Sequence, residues 1–282
     1  MKLLFAMVAA VLILTATTAH AAGPLYYDKG SIDKDTTWSG AVIIRGQTVV
    51  KKGATLTIMP GTVVKFVWID EDGDDIGDGE LTVEGRIIAK GTKDNMIRFT
   101  SAQESPKMKD WTFLMISVNR DSIVEHCIFE YAFTGIQVHY STAVIRDNLI
   151  RNNFEGIRFS TTDVVIEHND IRDNTYGIRY ESRGSKTTVS RNTFKGNAYG
   201  FFPVQKCSST VAIKDNNIES TSYNVNMGDN QREDLDYSGN WWGSADKAVV
   251  ESALFDRTKD PSLGRVLYEP FLKGPVKDCG MM

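Results

Sequence analysis

The sequence predicts an all-β solenoid, a chain wound into stacked coils of short parallel strands. Three kinds of column in one repeat carry this prediction. Aligning Cys127-Ile128-Phe129, Asn148-Leu149-Ile150, Asn169-Asp170-Ile171, Asn192-Thr193-Phe194, Asn216-Asn217-Ile218 and Asn240-Trp241-Trp242 gives anchor spacings of 21, 21, 23, 24 and 24 residues. Apolar residues then fall in register: Val124, Ile145, Ile166, Val189, Ile213 and Tyr237 stand three before the anchor. Phe129, Ile150, Ile171, Phe194, Ile218 and Trp242 stand two after it, and Ile136, Ile157, Ile178, Phe201 and Val225 nine after. Gly135, Gly156, Gly177 and Gly200 form a glycine column, and Asn153, Asn174 and Asn197 a second asparagine column.

The apolar positions are β-branched or aromatic and come in short alternating bursts such as Val165-Ile166-Glu167, which is strand chemistry at period two. One leucine between residues 122 and 226 disfavours a leucine-rich repeat. A single coil cannot bury enough surface to order itself, so neighbours must stack, about 4.8 Å apart. An asparagine above an identical asparagine both donates and accepts along the stack. The glycines read as turn positions that tolerate positive φ.

In chain order, residues 1–21 read as a secretory signal peptide. Lys2 precedes an apolar run from Leu3 to Leu14, too short for a membrane span, and Ala19-His20-Ala21 supplies a cleavage site. The remainder, 22–282, reads as a single β-helix domain with no transmembrane span. Irregular coils occupy about 36–118, regular repeats about 122–243 and a C-terminal cap 244–282. In the cap, Ser244 is placed to start a short amphipathic helix with Val249, Val250, Ala253, Leu254 and Phe255 on its apolar side, covering the last coil. Cys127 falls at a packed anchor, which leaves Cys207 and Cys279 as the expected disulfide pair.

Charge excludes one class of partner. The chain carries 32 basic and 36 acidic residues, so no basic excess exists to neutralise phosphates and nucleic acid is not expected. The acidity is local: Asp70, Glu71, Asp72, Asp74, Asp75, Asp78 and Glu80 crowd one short stretch.

The Gly53-Ala54-Thr55-Leu56-Thr57-Ile58-Met59-Pro60-Gly61-Thr62 segment, the Asn and Gly repeats and Asn240-Trp241-Trp242-Gly243 together resemble the secreted bacterial right-handed parallel β-helix proteins, the superhelical group that includes pectate lyases. That resemblance implies a right-handed parallel β-helix, exported to the periplasm or outside the cell. It does not select an activity, because the superfold hosts lyases, hydrolases, epimerases, adhesins and binding proteins. The acidic stretch resembles the calcium loops of thrombospondin type 3 repeats, with Asp70, Asp72, Asp74 and Asp78 at matching positions and Asp75 in place of a glycine. It implies a structural Ca²⁺ ion, a hard cation suited to clustered carboxylates.

Two outward columns carry like charges on adjacent coils: Gln137, Arg158 and Arg179, and Arg151, Arg172 and Lys195. Such columns need a lateral carboxylate, for which Glu155 and Glu181 are candidates, or an anionic or sugar ligand. Tyr176, Tyr199 and Tyr223 form an aromatic column that serves either as a structural stack or as a sugar-binding surface. The predicted ligand-binding residues are Arg158, Arg179, Tyr176, Tyr199 and His139, and no catalytic residue is assigned. The acidic loop precedes the arginines by two to four coils, which argues against lyase chemistry on this face. His126 and His168 stand two coils apart, roughly 10 Å, which argues against their sharing a metal and against the copper role associated with the β-helix proteins of nitrous-oxide-reductase assembly. The expected function is an exported monomeric module that recognises a polysaccharide or cell-surface partner along one face. A polysaccharide lyase or glycoside hydrolase is the alternative from another class.

Overall fold

Alternation decides which side of each strand turns inward. Asp163–Glu167 buries Val164 and Ile166 and turns Asp163 and Val165 outward, and the same rule builds the whole stack. The computed structural model of the chain describes residues 23–182 and 185–282. Residues 1–21, which the sequence reads as a signal peptide, lie outside the described residues.

From Thr36 the chain winds through successive coils. The first holds Thr36–Trp38 and Ala41–Val50, the second Thr55–Ile58, Val63–Phe66 and Glu80–Val83, and the third Arg86–Lys90, Ile97–Ser101 and Trp111–Ser117. The fourth holds Ser122–Glu125, Cys127–Glu130 and Ala132–His139, the fifth Thr142–Arg146, Leu149–Arg151 and Glu155–Ser160, and the sixth Asp163–Glu167, Asp170–Arg172 and Tyr176–Glu181. The seventh holds Thr188–Ser190, Thr193–Lys195 and Tyr199–Pro203, and the eighth Ala212–Lys214, Asn217–Glu219 and Tyr223–Asn226. The first strands of the coils form an eight-stranded parallel sheet, and the second and third strands share a 17-stranded one. This is the predicted right-handed parallel β-helix.

The predicted columns are the observed register. Val124, Ile145, Ile166, Val189 and Ile213 pair in succession, as do Phe129, Ile150, Ile171, Phe194 and Ile218. Ile136, Ile157, Ile178, Phe201 and Val225 do the same, and all three columns are buried. The asparagine ladder runs unbroken. Asn148 Nδ2 donates to Asn169 Oδ1, Asn169 to Asn192, Asn192 to Asn216 and Asn216 to Asn240, each at 2.9–3.0 Å. Each Oδ1 also accepts the backbone N–H of the preceding rung's asparagine. Asn153, Asn174 and Asn197 form the second ladder.

Four expectations need correction. Gly135, Gly156, Gly177 and Gly200 lie in strands, and none has positive φ. They are glycine because a Cβ at Gly156 would stand 2.7 Å from the carbonyl oxygen of Gly177 in the next coil, and the others are as tight. The left-handed corners fall instead one residue before the anchors, at His126, Asp147, His168, Arg191 and Asp215, where Asp and His tolerate that conformation better than most residues. Second, the three cysteines are free. The Cys207 Sγ lies inside, against the Tyr180 carbonyl at 3.4 Å, whereas the Cys279 Sγ contacts the Asn192 carbonyl at 3.1 Å.

Third, the capping helix is only Lys247–Ser252, with Asp246 rather than Ser244 at its N-cap and Val250 its one buried residue. The chain returns at once to strand as Leu254–Phe255, which pairs with Tyr223–Asn226 and continues the stack. Fourth, the stack begins before residue 36. Leu25–Ile32 pairs parallel with Ala41–Val50, but it is exposed along most of its length and therefore lacks apolar alternation.

Candidate functional site

The acidic loop joins Val63–Phe66 to Glu80–Val83 in the second coil. Short aspartate side chains fold it by accepting nearby backbone N–H groups, as turn-forming residues do. Asp70 accepts from Gly73, Asp74 and Asp75, Asp72 from Asp74, and Asp74 from Ile76. The carboxylate oxygens of Asp70, Asp72 and Asp74 thereby come within 4.8 Å of one another. Asp78, the fourth predicted ligand, accepts from Glu71 N–H instead and is not one of that trio. Gly77 docks the loop on the third coil, donating to the Lys109 carbonyl and accepting from the Thr112 hydroxyl. A Cβ at Gly77 would stand 2.1 Å from the Asp110 carbonyl oxygen.

This docking leans the loop along the coil axis. Asp72, Asp74 and Asp78 line one cleft of about 320 Å³ with Phe113, Phe133, Gln137 and Arg158. The carboxylates and the arginine, separate when counted along the chain, therefore meet in space. That removes the argument from separation against chemistry on this face.

The arginine column is largely neutralised from within. Arg158 and Arg179 are paired neighbours in adjacent coils, and Glu155, fully buried, lies between them. Arg179 holds the Glu155 carboxylate at 2.6 Å, whereas Arg158 reaches it only at 3.9 Å. The Thr134 hydroxyl donates to Glu155 as well. In the other column, Arg151 is held at 3.0 Å by buried Glu130 and Arg172 at 3.2 Å by Asp170. Arg158 is thus the more loosely held of the two predicted arginines, and it is the one in the cleft. His139 lies beside it, with its Nε2 2.6 Å from Gln137 Nε2. Burial, then the Arg158 charge, push the imidazole pKa below its ordinary value, against the opposing pull of Glu181.

Tyr176 and Tyr199 stack at 5.1 Å, and Tyr199 and Tyr223 at 6.5 Å. They are rungs of a longer aromatic stripe. Phe133 stacks on Phe154 at 5.2 Å, and Phe154 meets Tyr176 edge-on, so the half-buried rings run from the cleft along the coil axis. Phe133 and Phe154 were not among the predicted residues, because they fall six residues after their anchors rather than seven. The broken register hid one continuous surface.

A second cluster forms at the corners. Glu125, His126 and Asp147 offer donor atoms within 4.8 Å of one another. Asp147 and His168 are each only 7% exposed. The Nδ1 atoms of His126 and His168 are both shielded from solvent without a hydrogen-bond partner. Glu125 is shared with Lys90 at 3.4 Å and Arg146 at 3.3 Å, which makes it the least available donor. The histidines alone do not reveal this cluster, since Asp147 stands in the coil between them.

Stacked parallel coils bearing an outward cleft and a corner cluster of imidazole and carboxylate side chains define a β-helix protein with two candidate ligand sites. A family model described as periplasmic copper-binding protein (NosD) matches residues 69–246. The chain belongs to this family, a right-handed β-helix family. Neither a curated protein nor a solved structure gives a match. Among the described residues no helix is long and apolar enough to cross a membrane, and with the family's periplasmic description this supports an exported protein.

Proposed function

We propose that the protein is an exported binding module that holds an acidic polysaccharide, or a cell-surface glycan of the same chemistry, in the cleft between the acidic loop and Arg158. One observation carries the reading: carboxylates and a loosely paired arginine share an open cleft at the end of a stripe of aromatic rings. A Ca²⁺ ion at Asp70, Asp72 and Asp74 suits their hard oxygen donors and would relieve their mutual repulsion. It would also give a uronate carboxylate a cationic partner, with Arg158 a second one and the rings of Phe133 and Tyr176 flat surfaces for sugar.

Calorimetric titration of a panel of acidic polysaccharides in millimolar Ca²⁺, with the ultraviolet absorbance of unsaturated products followed in parallel, tests this. One polysaccharide of the panel binds, Arg158→Ala weakens it about tenfold or more, and chelating Ca²⁺ lowers both affinity and melting temperature. A panel without any binder, or an Arg158→Ala variant that binds as well as the parent, overturns the reading. Growth of product absorbance assigns the same cleft to a lyase instead.

A second reading, copper binding, is favoured by the corner cluster. The family description names copper, and the donor set here fits it. The His126 imidazole has an unpartnered Nδ1, and Asp147 offers a carboxylate oxygen within 4.8 Å of a nitrogen of that ring. Imidazole nitrogen is a good copper ligand. These residues would hold the ion, and Glu125 would join only by leaving Lys90 and Arg146.

A further inference from the structure

The C-terminal segment crosses back over the coils and ends at this cluster. Leu272 N–H donates to the Asn240 carbonyl, and Val276 exchanges two hydrogen bonds with the Asn217 side chain. Gly280 N–H then donates to the Arg191 carbonyl at 2.8 Å, and Met282 N–H to Asp147 Oδ1 at 3.1 Å. The segment therefore climbs the corner column from Asn240 toward Asp147. Gly280 is level with the seventh coil and Met282 with the fifth, which places Met281 alongside the sixth, where His168 stands. Gly280 lies in the left-handed region at φ +85°, and a Cβ there would stand 3.1 Å from Thr193 Oγ1, so the path is fitted to the surface.

Resting on the copper reading, we propose that the segment completes a copper(I) site: His126 and Asp147 supply the fixed donors, and the Met282 thioether, carried in by the segment, supplies the soft one. The chemistry follows from the donors. Imidazole and carboxylate alone suit several divalent ions, whereas a thioether selects copper(I). His168, nine-tenths buried with an unpartnered Nδ1, stands in the same corner column one coil beyond Asp147. Because Met282 is tied to Asp147 through its own backbone N–H, a bound ion and a docked segment stabilise each other. Copper(I) would hold the segment down, and an undocked segment would leave the weaker two-donor site.

Two measurements on the full chain test this. The first is copper(I) titration against a chromophoric chelator under reducing, anaerobic conditions. The second is the rate of trypsin cleavage after Lys277, which is exposed within the segment. In the parent protein copper(I) binds, and cleavage after Lys277 slows about tenfold or more on loading. Met282→Leu keeps the fold and the apolar volume but weakens copper(I) about tenfold or more and abolishes the protection. His126→Gln with Asp147→Asn removes binding altogether, with circular dichroism confirming that the fold persists. A parent that does not bind copper(I) overturns the copper reading itself. A parent that binds, with Met282→Leu indistinguishable from it and cleavage unchanged by copper, overturns the role of the segment alone.

Discussion

Asn169→Ala destabilises the protein by about 3–6 kcal/mol, since buried polar groups left without partners cost about 1–3 kcal/mol each. The side chain is fully buried and serves five hydrogen bonds. Its Oδ1 accepts from Asn148 N–H and Asn148 Nδ2, and its Nδ2 donates to the carbonyls of Ile145 and Glu167 and to Asn192 Oδ1. Alanine strands the buried Asn148 N–H and one of the two Asn148 Nδ2 hydrogens, the other keeping the Val124 carbonyl, and opens a void on the ladder. Water cannot reach them, because every ladder asparagine from Asn148 to Asn240 is fully buried. Urea denaturation followed by circular dichroism measures the loss. Lys195→Ala, on an exposed position of the same stack, changes stability by no more than about 0.5 kcal/mol. A loss below about 1 kcal/mol for Asn169→Ala would mean that the asparagines merely suit the turns.

The second large effect comes from adding one carbon. Gly156→Ala places a Cβ 2.7 Å from the Gly177 carbonyl oxygen, with Asn174 Nδ2 and the Ile150 Cγ2 each at 3.3 Å. The nearest obstacle is backbone, which cannot rotate away, and moving it disturbs the pairing of Glu155–Ser160 with Tyr176–Glu181. Overpacking of this kind costs about 1–3 kcal/mol and more when the neighbour is rigid. Were the glycine present for positive φ, alanine would be strained without any clash. The two explanations separate at Asn: Gly156→Asn is tolerated at a left-handed turn but at this position destabilises at least as much as alanine. The melting temperatures of the two variants decide it.

Much of the architecture is legible because a solenoid turns sequence period into spatial contact. Ile145, Ile166 and Val189 share an offset in the sequence and share a column in the fold. Elements that do not repeat are less visible. Leu25–Ile32 is exposed along most of its length, so its strand shows no alternation, and Leu254–Phe255 is too short to declare a period against the helix beside it. The cleft escapes a count of coils because loop length is not height: the docking of Gly77 carries Asp72 and Asp74 to Arg158. The corner cluster escapes because Asp147 reads as ordinary charge alternation between His126 and His168. Its proximity to Met282 depends on a segment with no repeat of its own.

Every column rests on adjacent coils being in contact, and a pair of engineered cysteines reads that directly. Val144 and Val165 are outward-facing register partners 21 residues apart, and Val165 pairs in turn with Thr188. Facing positions one coil apart meet the Cα separation of a disulfide, whereas positions two coils apart, at roughly 10 Å, do not. In a Cys279→Ser background, mild oxidation should close Val144→Cys with Val165→Cys fully while leaving Val144→Cys with Thr188→Cys open. Failure of the first pair, or equal closure of the second, would contradict the stacking on which both candidate sites are built.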